Sequence, residues 1–218
     1  AAAVGVKASR GESERVGVAF GRLHYLVALG VSVVALVVYL TTLAAGVLPG
    51  EPAQTLLGLS GAEANLVARH VVWRKLIGLA VAAGGARFVL AVNALCAVVA
   101  ALAAGMMYLV AAALTGLMLD REHLRAALGE RAGRDVAAMM GLAGVFAAAT
   151  LAFSAPYWVA ATQPYINAFY LLWLLGSIFL ALRFAATMRM PWLWGFCLLH
   201  GAGMGQTSCF VAFAPLLY

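Results

Sequence analysis

Charge is what this chain has least of. Asp, Glu, Lys and Arg together make up 10% of its 218 residues, where a soluble globular domain carries about 25%. With 65% of the residues hydrophobic, the apolar surplus cannot all be hidden behind a wettable surface, so it has to face lipid. A soluble enzyme, a disordered chain and a secreted disulfide scaffold are excluded together. Cysteine is as sparse: Cys96, Cys197 and Cys209 sit inside apolar runs with no CxxC spacing. They read as small buried hydrophobes, neither staples nor ligands, and no metal site is expected. The first 22 residues are polar and basic but lack the short apolar region and small-residue cleavage site of a signal peptide. No compact basic stripe with interleaved aromatics exists outside the apolar runs, so the net charge of +6 does not point to nucleic acid.

What is present is a series of long apolar runs. A membrane-crossing helix needs about 20 such residues for about 30 Å of hydrocarbon. Leu23–Leu48 qualifies without a formal charge, and Phe88–Leu119 is longer than needed and must tilt or project. Residues 136–162 form a third span, broken near its end by Pro156, 165–188 a fourth with Arg183 near its end, and 191–218 a fifth. Between Arg74 and Arg87 the run LIGLAVAAGGA is too short to cross and reads as an interfacial or re-entrant helix. The expected fold is an all-α polytopic membrane protein: about five transmembrane helices, a short interfacial helix in the first loop (49–87), and a basic tail over 1–22. The chain begins without Met and stops at Tyr218 inside an apolar run, so it is expected to be part of something longer.

Orientation follows from the basic residues flanking the spans. Lys7, Arg10, Arg15 and Arg22, then Arg121, Arg125, Arg131 and Arg134, then Arg183 and Arg189 share one side. Only Arg69, Arg74, Lys75 and Arg87 lie on the other, all in the 49–87 loop. The expected N-terminus is cytoplasmic, with the bacterial inner membrane as the host bilayer and the first loop outside. Small residues also recur at helical spacing, at Ala97, Ala101 and Gly105 and at Gly201 and Gly205. These are assigned to helix packing.

Few residues could carry chemistry. Glu51 and Glu63 are the acids of the outer loop. Glu51 follows directly on the first span in LPGEPAQTL, where Pro49, Gly50 and Pro52 impose an irregular turn. A carboxylate there is partly desolvated, which suits a general base and equally an ordinary interfacial acid bonded to loop backbone. Glu63 sits in a helix-like stretch, GAEANLVARH, where its ordinary account is a pairing with Arg69 or with solvent. Arg69, His70, Trp73, Arg74 and Lys75 form a basic and aromatic cluster, fitted either to hold a lipid phosphate or to anchor the chain at the headgroups. Tyr157, Trp158 and Gln163 stand in a second outer turn, as an aromatic belt or as the rim of a sugar cleft. Gln206, beside Thr207 and Ser208 in the last span, is interhelical glue or part of a substrate path.

The order of these features resembles the family of membrane-embedded protein O-mannosyltransferases, polytopic enzymes of the GT-C type. The counterparts are LPGEPAQTL at 48–56, RHVVW at 69–73, the run LIGLAVAAGGA, and AVNALCAVVAALAAGMMYLV at 91–110. LAFSAPYWVAATQPYINAFYLLWLL and GAGMGQTSCFVAFAPLLY are similar to later spans of that family. The sequence departs from the family pattern at Leu48, where many relatives carry Asp, and at Val71, where a proline follows the His. The resemblance implies sugar transfer, mannose-like, from a polyprenyl-phosphate donor to a hydroxyl on the outer face, with Glu51 at the position of the catalytic carboxylate. It implies a lipid-linked sugar, a polyprenyl-phosphate sugar, as donor substrate. GT-C enzymes have more spans than five, so the chain corresponds to an N-terminal half. The competing reading is a non-catalytic membrane subunit that packs against other subunits of a larger complex.

The charge asymmetry is directly testable. Single cysteines introduced into the 49–87 loop should react with an impermeant maleimide in intact cells, and those introduced into 120–135 only after permeabilisation. The opposite pattern would reverse the orientation.

Overall fold

The computed structural model describes residues 21–47, 49, 52–54, 56, 70–119 and 132–205. These residues form helices and no strand. Helix α1 spans Arg22–Thr41, α2 Val71–Gly84, α3 Phe88–Leu119, α4 Ala132–Ala152, α5 Ala155–Thr162, α6 Asn167–Thr187 and α7 Met190–Met204, with a single 3₁₀ turn at Gly85–Arg87. Among the described residues, four stretches are long and apolar enough to cross a membrane: Arg22–Thr41, Val71–Leu119, Asp135–Ala152 and Asn167–Thr187. The protein is therefore an all-α, polytopic, integral membrane protein. The fifth expected span is represented by the 15-residue α7, which is shorter than a crossing requires; 206–218 lie outside the described residues.

Helix ends fall where local chemistry puts them. α1 stops at Thr41, well short of Leu48, and the Thr41 and Thr42 hydroxyls donate back to the Val38 carbonyl at 2.9 and 2.8 Å. The expected 136–162 span is two helices, and the break comes at Phe153–Ser154 rather than at Pro156. Pro156 sits in the first turn of α5, where a helix has no use for the missing N–H and the fixed φ is favourable. Gly85, with φ +51°, takes a backbone conformation that side chains disfavour. It turns the chain between α2 and α3, and a Cβ on the adjoining Gly84 would lie 2.8 Å from the Ala91 Cβ.

Helix α3 is the centre, packed against α1, α2, α4, α5 and α6, while α7 folds back on α6. Its length of 32 residues corresponds to about 48 Å at 1.5 Å per residue. Helix α1 presents mostly small residues inward and large ones outward. On α1 the buried stripe is Ala28, Ser32, Ala35 and Tyr39, while Leu26, Leu29, Val33 and Val37 are exposed. In water this arrangement would be unstable. In hydrocarbon, large side chains are solvated by lipid tails, and helices associate through van der Waals contact at small residues.

The expected small-residue face of the second span is a contact surface: Ala97 and Ala101 are buried, and a Cβ on Gly105 would fall 2.1 Å from Ser32 Oγ and 2.9 Å from the Ala28 carbonyl. α4 crosses α3 in the same way, with Gly144 under the Tyr108 ring at 2.6 Å from its hypothetical Cβ. Gly201 is different: it is exposed and has open space around it. The spacing alone did not distinguish the two.

Substitutions should separate these cases. Gly105→Val, which drives a branched side chain into the α1 backbone, should destabilise by about 1–3 kcal/mol or more. Gly30→Ala, with nothing near its hypothetical Cβ, should not destabilise. Unfolding in mixed detergent micelles reads both.

Candidate functional site at the head of the bundle

Polar side chains gather where α1 and α4 end and α3 and α6 begin, here called the head. The helix break after α4 is the first cause. The Ala152 carbonyl would ordinarily receive the N–H four residues on, but that residue is Pro156, which has none. Tyr39, in the last turn of α1, fills the vacancy: its hydroxyl donates to the Ala152 carbonyl at 2.9 Å. Its ring meets the Trp158 indole edge-on, with centroids 5.6 Å apart. Tyr157 donates to the Ala100 carbonyl of α3 at 2.9 Å. The candidate sugar-rim residues Tyr157 and Trp158 are thus tied into the helix packing, Tyr157 buried and Trp158 half-buried.

The end of α1 is the second cause. Beyond it the chain leaves the helix, and the Ala44 and Gly46 carbonyls need donors. Asn93, fully buried in the second turn of α3, donates Nδ2 to Ala44 O at 3.0 Å and to Gly46 O at 3.3 Å. Gln163, also buried, donates Nε2 to the same Gly46 carbonyl at 3.4 Å. Both acceptors are carbonyls, so the amide NH₂ of Asn93 must face them. Its Oδ1 then points elsewhere and has no partner.

Helix α2 runs from the head of α6 to the head of α3. At its start, Trp73 lies on Phe169 with ring centroids 5.3 Å apart, and a His70 ring nitrogen is hydrogen-bonded to the Tyr170 hydroxyl. At its end, Gly84 closes on Phe88 and Ala91. The basic and aromatic cluster is therefore divided. Trp73 is 2% exposed and its Nε1 has no partner, whereas Arg74 and Lys75 stand on the exposed face of the helix. His70, half-buried, belongs with the aromatic side.

Glu51, Glu63, Arg69 and Gln206 lie outside the described residues, as does Cys209. The neighbours of Glu51 in sequence are placed: Pro52 is fully buried, and Leu56 packs against the core. Among the described residues, no three of His, Cys, Asp and Glu converge as a metal site would require. At the opposite end His24 Nδ1 is 2.9 Å from the Tyr108 hydroxyl, and the Arg183 guanidinium stacks over Trp192 at 5.3 Å. Sequence reasoning assigned no role to Asn93, Tyr39 or Tyr170. The available signal was a single Asn or Tyr near the end of an otherwise apolar run, where a helix terminus leaves carbonyls to satisfy.

A polytopic α-helical membrane protein with its polar ties collected at one end is the class these features define. The comparison with known families is more specific. The protein O-mannosyl-transferase TMEM260 N-terminal domain matches residues 75–217, and the chain belongs to that family. The matched stretch begins at Lys75, so Glu51 and most of the 69–75 cluster precede it. No curated protein matches the chain. No solved structure matches it either.

The two faces of α2 should respond differently to mutation. Trp73→Ala removes a fully packed indole and should cost about 3–5 kcal/mol. The double change Arg74→Gln with Lys75→Gln should stay within about 0.5 kcal/mol. Thermal unfolding of the purified protein in detergent checks both.

Proposed function

We propose that this chain is the membrane-embedded N-terminal part of an O-mannosyltransferase-like enzyme. It moves a mannose-like sugar from a polyprenyl-phosphate donor to a Ser or Thr hydroxyl on the outer face of a bacterial inner membrane, its N-terminus being cytoplasmic. The observation that carries this reading is the family membership over residues 75–217. The gathering of polar and aromatic groups at the head, where the chain runs on from α1 toward Glu51, is consistent with it. Glu51 takes the proton of the acceptor hydroxyl, whose oxygen attacks the anomeric carbon as the bond to the lipid phosphate breaks. Arg69, Arg74 and Lys75 offset the charge that develops on the departing phosphate, and His70 and Trp73 lie beside them in sequence. In this scheme Tyr157, Trp158 and Gln163 border the sugar, with Glu63 and Gln206 as further polar contacts.

Glu51→Gln keeps size and hydrogen bonding but removes the base. In the full-length protein, reconstituted with polyprenyl-phosphate mannose and an acceptor polypeptide, it should lower transfer by about 10²–10⁴-fold. Binding of the donor lipid should be unchanged. Wild-type transfer by the variant would remove Glu51 from catalysis and make Glu63 the acid to test. A wild-type protein that never transfers sugar, and that purifies in fixed ratio with other membrane subunits, would favour the packing-subunit reading.

A further inference from the structure

Three partly buried hydrogen bonds at the head converge on one short piece of chain. Asn93 reaches it from α3 and Gln163 from the end of α5, and Gly46 O accepts from both. Asn93 also holds Ala44 O, so carbonyls two residues apart are gripped, Gly46 from two sides. Burying two carboxamides is costly unless they bond, and neither is needed to join α3 to α5, a contact that Tyr157 already supplies through Ala100. Asn93 turns its amide NH₂ on the segment leaving α1 through two carbonyls, and Gln163 Nε2 reaches that segment at Gly46. In sequence this segment runs directly to Glu51, on whose far side Pro52 is buried and Leu56 is packed. The candidate base thus falls, in sequence, between two anchored stretches.

We propose that Asn93 and Gln163 are positioning residues, which set the location of the acidic turn by clamping the backbone at 44–46. This rests on the assignment of Glu51 as the base. Both clamps share the Gly46 carbonyl, so their effects are coupled. A displacement of the reacting groups by about 1 Å is enough to lose about 10²-fold in rate.

The test uses the full-length protein with Asn93→Ala, Gln163→Ala and Glu51→Gln, singly and combined. Each clamp variant should lower kcat by about 10–10²-fold, and Asn93→Ala, which lies outside the proposed sugar contacts, should change the KM for polyprenyl-phosphate mannose by less than about twofold. Added to Glu51→Gln, neither should reduce transfer further, because a group acting through the base has nothing left to act on. Hydrogen–deuterium exchange should rise in the 43–54 peptide of both variants, with peptides from α3 and α6 unchanged. Unchanged exchange at 43–54, or losses that multiply in the Glu51→Gln background, would overturn the proposal. If Glu51→Gln abolishes transfer while both clamp variants keep wild-type kcat, the clamp role alone falls and the base assignment stands. If Glu51→Gln transfers normally, the base assignment fails and takes the positioning role with it.

Discussion

The bundle depends on how closely α1 and α4 approach the backbone of α3. Inside a bilayer there is no water to drive apolar surfaces together, so helix association rests on contact dispersion and on hydrogen bonds between helices. Contact is close only where side chains are small. Gly105 lets Ser32 and the Ala28 carbonyl of α1 against α3, and Gly144 lets Tyr108 of α3 close on the backbone of α4. From these two crossings the rest follows. The same approach brings His24 to the Tyr108 hydroxyl and carries Tyr39 to the end of α4.

A second constraint acts at the helix ends. Backbone carbonyls released by a break must find a donor when they are away from water. At the head three of them do so through side chains from other helices: Ala152 from Tyr39, Ala44 from Asn93, and Gly46 from Asn93 and Gln163. Polar residues therefore collect there for a structural reason before any catalytic one. An enzyme acting at a membrane surface can use the consequence, since the chain emerging from α1 is held at a defined height and direction. Helix α2 adds a second fixed element at the same end, seated by Trp73 and His70 on the rings of α6 and leaving Arg74 and Lys75 exposed.

Much of this was legible from composition and periodicity. Apolar runs of spanning length, the charged breaks between them and the short run at 76–86 led to an all-helical membrane protein, because a chain in hydrocarbon must satisfy its own backbone and the helix does so locally. The order of short motifs led to the mannosyltransferase family. The boundaries were less legible. Thr41 and Thr42 end α1 early by bonding back to Val38, and the break expected from Pro156 falls just before it, leaving Pro156 in the first turn of the next helix. Both outcomes depend on which side of a proline or threonine the chain is already helical, and hydropathy does not report that.

The sequence by itself determined the solvent of this protein, its helical content and its family, since each is a sum over many residues and survives errors at any one. Tertiary structure alone decided which glycines are contacts, Gly105 and Gly144 but not Gly201. It also divided the 69–75 cluster, turning Trp73 inward and Arg74 and Lys75 outward, and it gave Asn93 a role that no motif announced. These are pairwise facts. A side chain's partner is set by the register of a different helix, and one chain's local spacing carries no record of how another helix is rotated against it.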